Sequence, residues 1–284
     1  MNSPSGTPAT ASRRPRLSDA QTERRMLDAG LAAIDTQGLA VGLEHLSMEA
    51  VIAAADVSRA SVYRRWPTKE LFFGDLLLEI ARATQLTAEG AELVADAARD
   101  VAERCAELLD ERSRRDLVVD LVRRVMHADS AVVARSARWR TYVALHVSFS
   151  GLADADLRAQ VAAELVATER AFTERRADVF AWFAGLVGYR LVAGETFRGL
   201  SFALGCASTG ALVRGMADPD LLTTTRQRTA LGSATPMEWT EPALLAARIL
   251  DDHLEPDPDV RWDEARMTAV RERAAAGPWE DGWA

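Results

Sequence analysis

"LSMEAVIAAADVSRASVYRRWPTKELFFGDLL", residues 46–77, reads as two short helices joined by a tight turn, followed by the start of a third. Ser47 is placed to cap the first, because its hydroxyl can accept an otherwise orphaned backbone N–H. Met48, Val51, Ile52 and Ala55 then fall at i, i+3, i+4 and i+7, one face of a two-turn helix. After "DV", Ser58 offers a second cap, and the next helix runs to Trp66. Pro67 stops it, since proline has no amide to donate and restricts the residue before it. Thr68 caps a further helix, "KELFFGDLLLEIARA". Helix, tight turn, helix is the layout of a helix-turn-helix.

The second helix decides what such a unit could touch. A turn of 100° per residue places Val62 and Trp66 on one side, pointing inward. Ala60, Ser61 and Arg64 lie on the other side, flanked by Tyr63 and Arg65. Arg59, Arg64, Arg65 and Lys69 give residues 58–70 a net charge of +3 in a chain whose total is −8. Small and polar groups facing out with cations beside them are what a major-groove reader needs. A local basic patch on an acidic body predicts a polyanion docking at that patch alone.

Upstream, Ser18 and Gln21 are spaced as a capping box. The helix they open carries Leu27, Leu31 and Ile34 at helical spacing and is expected to end near Gly38. A connector, "LAVGLEHL", leads to Ser47. Residues 1–17 are rich in Ser, Thr, Pro and Ala and are expected to be a disordered arm. Arg13, Arg14 and Arg16 on that arm could add minor-groove or phosphate contacts.

The stretch "MLDAGLAAIDTQG … GLEHLSMEAVIAAADVSRASVYRRWPTKELFFGDLL" resembles the DNA-binding domain of the TetR-type repressor family. The most specific part is the register S-x-x-x-x-Y-x-x-W-P-x-K-E-x-L, beginning at Ser58. Asp56 stands where the family usually has Gly, Trp66 where it has Phe, and Ile52 where a small Ala is common. "LAVG" looks like an insertion before the second helix. Helical spacing and the resemblance together predict an all-α protein: a three-helix DNA-binding domain at 18–70, a larger helical body at 71–255, and a C-terminal tail at 256–284 that is expected to open with a short helix and then run loose. The resemblance implies DNA contacts from Ser47, Ser58, Arg59, Ala60, Ser61, Tyr63, Arg64 and Lys69, with Tyr63 and Lys69 on phosphates. It also implies that the body binds a small ligand and forms a homodimer through its last two helices, about 195–216 and 240–254. The expected function is a ligand-released repressor on a palindromic double-stranded DNA operator.

The body itself reads as helices. Leu117, Leu121 and Val125 share one face, and a long helix is expected over about 155–188. Gly199, Gly205 and Gly210 are spaced to let helices approach closely. "TTTRQRTALGSATPMEWT" (223–240) is expected to be a polar loop. For the ligand, Trp139, Tyr142 and His146 lie on one helix face, Phe149 follows, and Trp182, Phe183 and Tyr189 come from the long helix. A mainly apolar cavity with a few polar handles suits a small, mainly apolar ligand, although aromatic stripes at this spacing also build plain core.

Composition narrows the rest. Cys105 and Cys206 form no CxxC and have no nearby histidine, so neither a disulfide framework nor a metal site is expected. The N-terminus has no apolar signal region, and the run "VFAWFAGLVGY" (179–189) is too short to span a bilayer. A cytoplasmic protein without membrane association is expected, and no cofactor is implied. The rival to a regulator is a small-molecule-binding helical enzyme. His45, His127, His146 and His253 sit apart, and neither H-E-x-x-H nor G-x-S-x-G occurs.

Overall fold

The structure is a computed structural model that describes residues 17–37, 46–82 and 87–278. Arg13, Arg14 and Arg16, the "LAVG" insertion, His45, Trp279 and Trp283 lie outside the described residues. Two compact units divide the chain, Met1–Glu79 and Ile80–Ala284.

The first unit holds α1 (Asp19–Gln37), α2 (Met48–Ala55), α3 (Arg59–Arg65) and most of α4 (Lys69–Arg82). The capping box at the start of α1 forms in both directions. The Ser18 hydroxyl accepts the Gln21 amide at 3.1 Å, and Gln21 Oε1 accepts the Ser18 amide at 2.9 Å. Met26 and Ile34 of α1, Val51 and Ile52 of α2, Val62 of α3, and Phe72 and Leu76 of α4 are all buried. A Cβ added to Gly30 would meet Leu76 at 3.0 Å and Phe72 at 3.3 Å, so α1 and α4 lie close together there. That packing moves the division of the chain to Glu79, beyond the expected 70/71. The first turns of α4 supply apolar side chains that the short α2 and α3 need to complete a core.

The second unit continues with α5 (Thr87–Glu103), a 3₁₀ turn at Cys105–Leu109, α6 (Glu111–Arg135) and α7 (Ala137–Ser148). Next come α8 (Ala155–Val187), β1 (Tyr189–Leu191), α9 (Phe197–Gly215) and the single turn α10 (Asp220–Thr223). β2 (Thr225–Arg228), β3 (Met237–Thr240), α11 (Glu241–His253), β4 (Leu254–Pro256) and α12 (Glu264–Ala276) complete it. The long helix α8 matches its expected span. Gly188 closes it in the left-handed region at φ 73°, a conformation that glycine adopts at no steric cost. A Cβ at Gly188 would also stand 2.5 Å from Trp262. β1 then pairs antiparallel with β4, bringing the end of α8 beside the end of α11.

One expectation is corrected here, and another is refined. The polar loop over 223–240 contains an antiparallel hairpin, β2 with β3, in the register Thr225↔Thr240 to Arg228↔Met237. Its anchor is Trp239, which is buried against Val119, Ala243 and Leu244 and donates its indole N–H to the Arg228 carbonyl at 3.1 Å. Within residues 256–284, expected as a short helix and then a loose tail, α12 is packed into the body. Met267, Val270 and Ala274 of α12 enter one core cluster with Val101, Leu117 and Leu186. Spaced at i, i+3 and i+7, those three make the buried stripe of an amphipathic helix. Among the described residues no helix is long and apolar enough to cross a membrane.

Candidate nucleic-acid interface

Local chemistry builds the turn between α2 and α3. Ser47 caps α2, accepting the Ala50 amide at 3.4 Å. At the other end Asp56 takes the left-handed conformation, φ 50° and ψ 49°, and its amide donates to the Ala53 carbonyl. Aspartate is one of the few non-glycine residues that visits this region. Ser58 then caps α3, accepting the Ser61 amide at 3.1 Å while its own hydroxyl donates to Ser61 Oγ at 2.9 Å.

The inner face of α3 consists of Val62 and Trp66, both fully buried. Trp66 meets Phe72 edge to face, with ring centroids 5.2 Å apart, and donates Nε1–H to Asp75 Oδ2 at 2.8 Å. A buried indole N–H left unmatched would cost about 1–3 kcal/mol, so Asp75 fixes the tryptophan's orientation as well as satisfying it. With that side fastened, Arg59, Ala60, Tyr63 and Arg64 are exposed and Ser61 is half-buried. The expected inward and outward sides of α3 are the observed ones.

Each arginine of this stretch meets a carboxylate. Arg59 pairs with Glu49 at 2.7 Å, Arg64 pairs with Asp19, and Arg65 reaches Glu23 at 3.2 Å and Asp75 at 3.0 Å. The Tyr63 hydroxyl donates to Glu49 at 2.9 Å, which raises its pKa and keeps it a neutral donor. The Lys69 ammonium lies 4.7 Å from the Phe73 ring centre, at the first turn of α4. Exposed ion pairs of this kind are worth about 0–1 kcal/mol each. A phosphate can therefore replace a carboxylate partner at little cost. Glu49, Asp19, Glu23 and Asp75 escaped the sequence reading, which saw the cations but not what they hold.

Residues 27–76 match the sequence model for bacterial regulatory proteins of the tetR family. These residues belong to the tetR family. Residues 27–76 therefore carry the DNA-binding domain of a tetR-type transcriptional regulator. Among curated proteins none matches the chain in sequence. Two solved structures resemble it loosely. One is SmeT, the repressor of the Stenotrophomonas maltophilia multidrug efflux pump SmeDEF, at 14% identity and a TM-score of 0.39 over 84% of this chain and 93% of that one. The other is TylP, a tetR regulator from Streptomyces fradiae, at 15% identity and a TM-score of 0.41 over 94% and 93%. The tetR assignment rests on residues 27–76 rather than on either likeness.

Beyond the tetR domain, the aromatic residues expected at a ligand site fall into two groups. Trp139 and Tyr142 are buried on α7. The Tyr142 hydroxyl donates to Glu169 Oε1 at 2.5 Å, His146 Nε2 lies 2.9 Å from the same hydroxyl, and the two rings meet edge to face at 4.6 Å. Burial first, then Glu169, pushes the Tyr142 pKa well above the ordinary phenol value. Phe149 follows as the first residue of a 3₁₀ turn, Phe149–Gly151. Trp182 and Phe183, 4.8 Å apart edge to face, instead join the cluster of α5, α6 and α12, where Tyr189 also packs. Glu169 and Trp182 are separated by about 20 Å along α8, at 1.5 Å per residue. The structure joins Tyr142 to His146 and Trp182 to Phe183.

Proposed function

We propose that this regulator is a homodimer that binds a twofold-symmetric operator through α3 and leaves it when a small ligand occupies the second unit. The observation that carries the reading is the two-sided α3. Val62 and Trp66 lock one side, and the free side offers Ala60, Ser61 and Arg64 to base edges. Tyr63 and Lys69 flank that surface as phosphate donors, while the caps Ser47 and Ser58 hold the helix starts toward the backbone. A dimer would set two such helices about 34–36 Å apart, one turn of the duplex.

The second unit supports pairing with another copy. On α9, Phe202 (66% exposed) and Val213 lie on the outer side with Cys206 and Gly210 between them, Met216 follows just past its end, and Leu245 is exposed on the adjacent α11. An uncovered apolar stripe of this kind marks an interaction surface. Ligand release needs only that the ligand prefer the arrangement whose recognition helices no longer fit the duplex.

The test is a gel shift with the DNA upstream of the protein's own gene, together with light scattering. A dimer bound to one symmetric site supports the reading, and Phe202→Glu should yield monomers with weaker operator binding. A monomer at micromolar concentration occupying single half-sites would refute it.

A further inference from the structure

The arginines of α3 are not held alike. Among the described residues Arg59 meets one carboxylate, Glu49, and Arg64 meets one, Asp19, through side chains that are 73% and 52% exposed. Arg65 meets two, and its side chain is 44% exposed. Its Nε and Nη2 donate to the two oxygens of Glu23 on α1, at 3.2 and 3.4 Å, and Nη2 also donates to Asp75 Oδ2 on α4 at 3.0 Å. The same Asp75 oxygen accepts the Trp66 indole N–H at 2.8 Å, and the Arg65 guanidinium carbon lies 5.1 Å from the Trp66 ring centre. Arg65 joins α1, α3 and α4 around the buried tryptophan.

Only an arginine can make this set of contacts. The guanidinium offers five N–H donors in a flat fork, enough to grip one carboxylate at two points and bond a second while its face meets an aromatic ring. α3 has seven residues, too few to be stable alone, so its direction is set by what it is tied to. The burial of Val62 and Trp66 is non-directional. The directional contacts at the C-terminal end of α3 are those of Arg65 and the Trp66 indole. α1 and α4 are joined without Arg65, by their close approach at Gly30 and by Arg24 with Glu79 at 3.0 Å. Loss of Arg65 therefore releases α3 rather than the whole unit.

We propose that Arg65 is a positioning residue for DNA recognition: it holds α3 at the tilt that brings Ala60, Ser61 and Arg64 to base edges, and makes no contact with DNA itself. This rests on the reading that α3 enters the major groove. An exposed one-to-one ion pair exchanges its carboxylate for a phosphate at little cost. A phosphate at Arg65 would instead have to break hydrogen bonds to two carboxylates and leave Asp75 to Trp66 alone.

The experiment measures binding of the full chain to the symmetric site upstream of its own gene and to a scrambled duplex, by fluorescence anisotropy across a salt series. In Arg65→Met the operator-over-scrambled ratio should fall about fivefold or more, the lower end of what a lost base contact costs. The salt slope on scrambled DNA should stay that of the wild type. Arg65→Lys keeps the charge but not the fork, so it should lose the ratio nearly as far. Glu23→Gln leaves Arg65 charged but loosens the grip, and the ratio should fall there too. A phosphate contact would behave otherwise: Arg65→Met would lower the salt slope by about one, Arg65→Lys would bind as the wild type, and Glu23→Gln would tighten both DNAs in proportion. Any of those three results overturns the assignment, as does an unchanged ratio in Arg65→Met. Hydrogen exchange of the DNA-free chain judges the tie by itself. The Trp66 amide, which donates to the Val62 carbonyl at 2.8 Å, should exchange faster in Arg65→Met while α1 stays protected. Unchanged exchange there overturns the positioning role. A wild-type chain with no preference for the upstream site, beside faster exchange in Arg65→Met, would sink the groove-reading function alone.

Discussion

Tyr63 donates its hydroxyl to Glu49 at 2.9 Å, from the exposed side of α3 to the first turn of α2. The same carboxylate group holds Arg59. Glu49 therefore holds two donors that the proposed interface would give to phosphates.

Glu49→Gln should tighten binding to both operator and scrambled DNA. The change removes a negative charge near the phosphates and releases Arg59, a gain of about 0.5–1 kcal/mol, the range of an exposed ion pair. Fluorescence anisotropy on the two DNAs measures it. Weaker binding would show that Glu49 orients Tyr63 and Arg59 for DNA rather than competing for them.

Arg64→Ala and Lys69→Ala should fail differently. Losing the outward Arg64 should cost about 1–3 kcal/mol on the operator and little on scrambled DNA, as expected for a group that reads base edges. Losing Lys69 should weaken both DNAs alike and lower the salt slope by about one. A salt series on both sequences decides. Proportional losses in the two variants would remove the groove-reading role from α3.

Asp56→Gly should stabilise the first unit by about 0.5–1 kcal/mol. Asp56 sits at φ 50°, where an L-residue is strained, and the greater freedom of glycine in the unfolded chain offsets part of the gain. Thermal melting is the readout. A lower melting temperature would mean that the Asp56 side chain contributes more than its backbone costs.

Asp120 supplies a pH-dependent contribution in the second unit. Burial alone would raise its pKa. Hydrogen bonds from Arg123 at 2.7 Å and Arg104 at 2.9 Å, with the Arg124 charge, hold it instead below the usual carboxylate range. A depressed folded-state pKa gives stability that is present above the unfolded value and is lost as pH falls through the folded one. Asp120→Asn should therefore cost about 1–2 kcal/mol at pH 7, and the gap should narrow below about pH 4. Denaturant titrations at both pH values measure it. A gap that is constant with pH would show that the carboxylate's charge is irrelevant to folding.

The sequence exposed what depends on local spacing and hid what depends on pairing. Val62 and Trp66 were assignable to one side of α3 because seven residues suffice to show a helical period. The stop at Pro67 was equally local. Asp19 and Glu23, in contrast, reach Arg64 and Arg65 only after α1 packs beside α3, so no spacing rule announced them. The β2–β3 hairpin was missed because "TRQR" is exposed throughout and Trp239 alone anchors the pair. For α12, a short helix was legible, but its place in the core was not, because only three buried residues stand among its charges.

The placement of α12 also sets an order of events at the ribosome. A single cluster joins Val101 of α5 to Val270 of α12, so it cannot close until nearly all of the described chain has been synthesised. The first unit has its own buried centre and ends at Glu79. Translation at about 5–20 residues per second leaves an interval of roughly ten to forty seconds between the two, and domains tend to fold as they emerge. During that interval the helix-turn-helix can be formed while the wall that α12 will complete stands open, with Leu117 and Leu186 still awaiting their last neighbours.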